Sequence, residues 1–340
     1  MSYKILILKN DRAGDLFTSS NLISSLRNKS ENIKIYYSEL NYNFNFLFKK
    51  LEKKKINFNL NIVDKFKIFL DLAINNYKEI YILSPKSFYF YLPLVFRKTK
   101  FYAIVYDGNK RVRPSYFLRK FLYKYETVYK NKMNKFSYRE LQNNLIDNKY
   151  INNVNILNVE ENDKILNLKK HLPEEYIFFQ FRYKFFDDLE WKINDVNKLI
   201  KLLSKKYKNV LFSSDIEVND RSKYFNNYFE LNYSIIDIDK NLVKKNNDKN
   251  IFYLKNLNAF NLFYVIKFSV ISLAKEGIVS HISFFHNKKC HNLFNFKINT
   301  IEDFYHEKIS YSEWCKGMNF SFSFLNNDSD KAIRKIKKFI

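Results

Sequence analysis

Apolar and polar positions fall into short runs along this chain, and the runs alternate in kind. Ile5-Leu6-Ile7-Leu8 is continuously apolar, which predicts a strand buried on both faces. The run breaks at Lys9-Asn10-Asp11, and Gly14 then permits a tight turn. Leu16, Leu22, Ile23 and Leu26, set among Thr18, Ser19, Ser20 and Ser24, predict a helix reaching Arg27. The same reading predicts strands over 33–37, 56–63, 79–83 and 101–106. It predicts helices over 44–53, 65–75 and 110–124, the last basic with an aromatic face. Strands alternating with helices imply parallel βαβ units.

The stretch 138–172 is polar, Asn-rich and weakly patterned, and a domain junction is expected there. The alternation then resumes. Strands are expected at 176–181, 209–212, 234–237, 251–254 and 269–273, and helices over 196–207, 258–267 and 329–340. The pattern predicts an α/β protein of two similar sheet domains facing a central cleft. The boundaries are 1–160 and 161–328, with a helix at 329–340 packing back across the junction.

Composition adds size and charge. The chain has 340 residues, room for two ordinary domains, and 46% apolar residues exclude wholesale disorder. A net charge of +24 fits attraction to nucleic acid, an anionic lipid surface or a phosphorylated sugar. It fits equally a Lys-, Asn- and Ile-rich codon bias. Basic residues are spread along the chain and no nucleic-acid-binding module is visible, so nucleic acid is not an expected partner. Cys290 and Cys315 make no disulfide framework. No signal peptide or spanning segment is visible, so a cytoplasmic location is expected, either soluble or peripheral on the inner membrane.

Two stretches carry candidate chemistry. Asp15 is a carboxylate at the first turn of the first helix, suited either to the helix dipole or to catalysis. After the strand at 269–273, the segment Glu276-Gly277-Ile278-Val279-Ser280-His281 again places glycine at a helix start. Backbone N–H groups there suit phosphate oxygens, Ser280 could add a hydroxyl donor, and Glu276 could accept from sugar hydroxyls. His281 fits either that site or a hydrogen-bonded core position. His281, His286 and His291 recur every five residues with Cys290 adjacent, a spacing that does not align ligands on one helical face. No metal site and no cofactor are expected.

Taken together, these stretches resemble the ADP-heptose:lipopolysaccharide heptosyltransferases, glycosyltransferase family nine, of the GT-B fold. The resemblance rests on Arg12-Ala13-Gly14-Asp15, on Leu26-Arg27, and on Arg182, Lys184 and Trp191 around a charged loop. It rests further on Ser213-Ser214-Asp215-Ile216-Glu217 and on Gly277 to Ile282. Asn21 stands where the family has proline, and the Gly277–His281 spacing is one residue longer than the family's. The resemblance implies an N-terminal acceptor-binding and a C-terminal nucleotide-sugar-binding domain. It implies inverting, metal-independent transfer of a heptose-like sugar, from ADP-heptose or a related donor, to a lipopolysaccharide-core or related glycan. Asp15 would be the base. Arg182, Lys184, Ser214, Glu217, Glu276, Gly277, Ser280 and His281 would hold the donor. Arg12, Gly14, Lys110, Arg111 and Arg113 would receive a phosphorylated glycolipid at the inner leaflet. The alternatives are a catalytically inactive GT-B assembly protein and a basic nucleic-acid-binding protein.

Overall fold

The computed structural model describes residues 4–108, 113–129, 136–151, 163–214, 220–240, 242–246, 250–295 and 320–340. The chain divides into two compact units between residues 151 and 163, and each is built around its own parallel sheet.

The first unit runs β1 (Lys4–Lys9), α1 (Ala13–Thr18), α2 (Ser20–Leu26), β2 (Asn32–Ser38), β3 (Glu52–Ile56) and α3 (Ile62–Ile74). It continues through β4 (Glu79–Ile82), α4 (Leu92–Val95), β5 (Lys100–Asp107), α5 (Tyr116–Arg119), β6 (Lys124–Tyr129) and α6 (Tyr138–Asn143). Its six strands pair in parallel in the order β3-β2-β1-β4-β5-β6. This is the Rossmann order, with the direction of travel reversing between β1 and β4. Ile5, Leu6, Ile7 and Leu8 are fully buried, as a central parallel strand requires.

Four expectations for this unit are corrected. The first helix is broken at Ser19 (φ −91°, ψ −5°) rather than continuous. The hydroxyls of Thr18 and Ser19 donate to the Asp15 carbonyl and that of Ser20 to the Phe17 carbonyl, competing with the helical N–H groups. Residues 44–53 form a 3-10 turn (Tyr42–Leu47) before β3, and 56–63 runs from the end of β3 into α3. Of the basic helix expected over 110–124, the described residues 113–124 form a single turn, because Lys124 opens β6 and Arg119 points inward. Arg119 donates to the carbonyls of Pro114 and Tyr106 and to Asp107.

The second unit runs α7 (Asp163–His171), β7 (Tyr176–Phe181), α8 (Tyr183–Asp188), α9 (Ile193–Lys206), β8 (Asn209–Ser214), α10 (Asp220–Asn232), β9 (Ser234–Asp237) and β10 (Leu242–Lys244). Then follow β11 (Ile251–Lys255), α11 (Ala259–Phe268), β12 (Ile271–Lys275), α12 (Ile278–Phe285), β13 (Lys289–Asn295), β14 (Phe320–Leu325) and α13 (Ser329–Lys337). The sheet order is β10-β9-β11-β8-β7-β12-β13-β14, parallel except for the edge pair β10–β9. Its centre, β11-β8-β7-β12-β13-β14, repeats the Rossmann order of the first unit, and the reversal lies between β7 and β12.

Trp191, expected near a charged loop, is a core anchor. Its ring packs against Phe186 at 5.3 Å and its Nε1–H donates to the Asn326 carbonyl at 2.9 Å, tying the end of β14 to the sheet. The C-terminal helix α13 spends its apolar face in this unit. Ala332, Ile336 and Ile340 join the core with Leu199 and Leu203 of α9, and Ser329 donates to Asp195 at 2.7 Å. No described helix is long and apolar enough to cross a membrane.

Candidate functional site

In open parallel sheets, ligands bind at the carboxyl ends of the strands where the strand order reverses. Each unit therefore points to its own locus, β1/β4 in the first and β7/β12 in the second.

At the first locus, the register Leu8–Ile82 brings Lys9, Asn10 and Asp11 to the same end of the sheet as Ser84 and Lys86. Lys9 is fully buried, and its Nζ lies 2.7 Å from the Asp11 carboxylate. A buried ammonium without such a partner would be costly. The Asn41 amide donates to the Lys9 carbonyl (2.8 Å), the Ser38 hydroxyl to the Asp11 carbonyl (2.5 Å), and the Tyr89 hydroxyl to Asn10 Oδ1 (2.7 Å). Burial pushes the Asp11 carboxyl up to about 6. Lys9 opposes that rise and Asp15 adds to it, so the two carboxylates sense one another. Burial holds the Lys86 ammonium below its usual range, against the pull of Asp11 and Asp15, and Arg113 pushes in the same direction as burial. Burial also raises the Tyr138 phenol well above its usual value, and Tyr106, Asp11 and Asp15 add to it. Lys86 and Tyr138 thus sense both carboxylates, with Arg113 acting on Lys86 and Tyr106 on Tyr138.

Asp15 lies half-buried in the first turn of α1, as its position after the strand implied, and Arg12 is the extended, exposed residue before that helix. Gly14 is not in a left-handed turn but inside the first turn of α1, a correction to the expected tight turn. Arg113 is joined to β5 by a pair of backbone hydrogen bonds with Tyr106, 2.8 and 2.9 Å. Lys110 and Arg111 lie outside the described residues, as do Glu217 and Cys315. Asp11, Lys86 and Tyr138 were missed. The one signal for Asp11 was a second carboxylate four residues before Asp15. Nothing in the local sequence marks Lys86 or Tyr138.

At the second locus, the register Gln180–Ala274 carries Arg182 and Glu276 to the same end of adjoining strands. Arg182 is half-buried at the start of α8 and Lys184 is exposed. Lys275 Nζ lies 3.7 Å from Glu276 Oε1. Gly277 caps α12 with φ +142° and ψ −139°, a backbone state that residues with a Cβ rarely adopt. The first N–H groups of α12 have no carbonyl within the helix to accept them, and the chain turns at Gly277 to present them.

Two expected donor ligands are committed elsewhere. Ser280 is buried and its hydroxyl donates to Asn292 Oδ1 inside the unit, because the third helical position turns toward β13. Ser214 Oγ bonds the Tyr253 hydroxyl at 2.7 Å, and Tyr253 donates on to Asn226 at 3.3 Å. His281 is half-buried in the first turn of α12. His286 and His291 are each spent locally. His286 Nε2 meets the Phe263 carbonyl at 3.1 Å, and His291 bonds the hydroxyls of Ser321 (2.7 Å) and Ser323 (2.9 Å). Burial pushes these imidazoles down to about 3 and about 4, and pushes the Cys290 thiol up to about 12.

No family model matches the chain, and no curated protein matches it in sequence. Solved structures do match it in shape. The chain is similar to the E. coli ADP-heptose LPS heptosyltransferase II, 13% identical, TM-score 0.61, over 98% of this chain and 96% of that one. A glycosyl transferase family 9 protein from Veillonella parvula matches at 10% identity and TM-score 0.61, over 100% and 90%. The UDP-GlcNAc 2-epimerase of Methanocaldococcus jannaschii matches at 14% identity and TM-score 0.56, over 98% and 92%. At these identities the likeness establishes architecture, and the chain has the GT-B fold, two Rossmann-like domains in tandem.

Proposed function

We propose that this chain is an inverting, metal-independent glycosyltransferase that moves a heptose-like sugar from a nucleoside diphosphate sugar to a lipopolysaccharide-core or related glycan. The observation that carries the reading is the division of chemistry between the two strand-order reversals. One holds paired carboxylates, Asp11 and Asp15. The other holds Arg182 and Lys275 beside the helix start at Gly277. The fold shared with nucleotide-sugar enzymes supports it.

In this reading the second unit binds the donor. The N–H groups of Ile278 and Val279 and the cations of Arg182, Lys184 and Lys275 neutralise the diphosphate as charge develops on it. Glu276 and His281 face the sugar or ribose hydroxyls. The first unit binds the acceptor, with Arg12, Lys86 and Arg113 meeting its phosphates. An acceptor hydroxyl attacks the anomeric carbon and the bond to the diphosphate oxygen breaks. The hydroxyl proton passes to the Asp15 carboxylate. The enzyme works at the cytoplasmic face of the inner membrane, where a phosphorylated glycolipid is presented.

Thermal denaturation against a panel of ADP-, GDP- and UDP-sugars tests the donor half of this reading. A ligand at a hundredfold its Kd stabilises the bound unit by about 2.7 kcal/mol. At least one nucleotide sugar should raise the midpoint. A panel with no shift would remove the donor site, and conversion of a UDP-sugar to its 2-epimer without transfer would assign the chain to epimerase chemistry instead.

A further inference from the structure

We propose that the outer face of α3, together with the turn at α4, docks on an anionic lipid surface. Helix α3 buries Asp64, Ile68 and Leu72 against its sheet. A surface helix ordinarily turns polar residues outward. This one turns out Ile62 (82% exposed), Val63, Phe66 (60%), Leu70 and Ile74 (77%). The face continues beyond the helix. Phe69 packs on Phe96 with ring centroids 5.3 Å apart, and Tyr91 and Val95 beside it are exposed. Contiguous apolar surface of this kind marks an interaction site.

Charge selects the partner. Lys65 and Lys67 lie on α3, and Arg97 and Lys98 follow α4. Every acid between residues 53 and 100 is turned inward and hydrogen-bonded. Asp64 accepts from the Asn57 backbone and side chain, Asp71 from Lys34, Tyr36 and Tyr77, and Glu79 from Lys29, Tyr81 and Tyr102. The nearest exposed carboxylates, Glu39 and Glu52, are engaged by the Phe58 N–H and by Lys34. An apolar face flanked by Lys and Arg, whose neighbouring carboxylates are already engaged, suits lipid, in which Phe and Ile enter the acyl boundary and Lys and Arg meet the phosphates. The same face on a second copy would set Lys against Lys.

The location of the face gives it a use. Helix α3 leaves the sheet at the carboxyl end of β3, the edge that carries Asp11. The Asn10 amide donates to the carbonyls of Asn57 (3.1 Å) and Phe58 (3.3 Å), and Lys86 Nζ lies 3.8 Å from the Phe58 ring centroid. The loop into α3 is thus held by the carboxylate locus itself. Docking through α3 would bring that locus to the lipid headgroups. The binding does not depend on the transfer reading.

The test is co-sedimentation of the full chain with vesicles of phosphatidylcholine alone and of phosphatidylcholine mixed equally with phosphatidylglycerol, at low and high salt. Neither vesicle contains a sugar acceptor, so failure here and failure of the transferase reading are separate results. The chain should pellet with the mixed vesicles and be released by salt. The triple variant Phe66→Gln, Leu70→Gln and Ile74→Gln keeps helix propensity at exposed positions. The variant Lys65→Glu with Lys67→Glu leaves the apolar face intact. Each should lower the partition coefficient about tenfold or more. The proposal is overturned if the wild type stays in solution. It is overturned equally if both variants bind like the parent, or if sedimentation equilibrium finds a dimer that the Gln variant dissociates.

Discussion

Asp11 and Lys9 form the most strongly buried charge pair at the first locus, and the Asp11 carboxyl carries a pH signature. The folded carboxyl of Asp11 sits at about 6, above the ordinary 3.8, because burial disfavours its ionised form more than Lys9 favours it. The folded state therefore holds this proton more tightly than the unfolded chain does. The resulting stability is full below about pH 4 and is lost as pH rises through about 6, a change of about 3 kcal/mol. Asp11→Asn should remove that slope, which denaturant unfolding at stepped pH would read. A variant whose stability still falls over the same window would assign the slope to another group. Asp15 was legible because it follows a strand by a turn and opens a helix. Asp11 was not, since a carboxylate just after a strand reads as the break that ends it. Its significance comes from Lys9, which lies 2.7 Å away and whose full burial no local pattern announces. Ser280 shows the reverse. A hydroxyl at a helix start suggests a phosphate ligand, yet Asn292, twelve residues on, takes it.

Gly277 and α12 set the same question for a whole element. The backbone at φ +142° turns the chain from β12 into the helix, and the space where a Cβ would stand is empty. The cost of Gly277→Ala is therefore strain in the backbone and not a clash, about 1–3 kcal/mol. The variant should lower the melting midpoint and weaken nucleotide-sugar binding together. A variant that melts with the parent would show that the turn tolerates a Cβ. Among the elements, the apolar buried strands were readable, and the edge strands and the buried but polar β13 (Lys-Cys-His-Asn-Leu-Phe-Asn) were not. β1, β4 and β7 contain apolar runs (Ile5 to Leu8, Ile80 to Ile82, Tyr176 to Phe179), whereas the edge strands β3 (Glu-Lys-Lys-Lys-Ile) and β6 (Lys-Tyr-Glu-Thr-Val-Tyr) are mostly solvent-facing and carry no alternation. Their place in the sheet comes from pairing with the preceding strand, β2 or β5, which their own pattern does not announce. A contact across a turn undid the described part, 113–124, of the helix expected over 110–124. Its basic and aromatic pattern was real, but Arg119 finds Asp107 and the Tyr106 carbonyl across the turn, and the chain resumes the sheet at Lys124.

Across the whole molecule, the repeated strand order is the main regularity. Both sheets reverse direction beside their first strand, so each offers one crevice at its carboxyl edge. The βα alternation announced two such units. Which strands neighbour the reversal could not be read, because strand order depends on contacts between elements far apart in the chain. The net charge of +24 was open between codon bias and function. The cation-rimmed face of α3 gives part of it a local purpose, one that vesicle binding checks independently of catalysis. Transfer in the proposed reaction rests on Asp15. Its most direct test is the rate of nucleoside diphosphate release from the donor found in the nucleotide-sugar screen, measured with a membrane glycolipid extract as acceptor, for the parent and for Asp15→Asn. Loss of a general base lowers such rates about 10²–10⁴-fold. Asp15→Asn should show a loss of that size with an unchanged melting midpoint. Release by Asp15→Asn at the parental rate would contradict it.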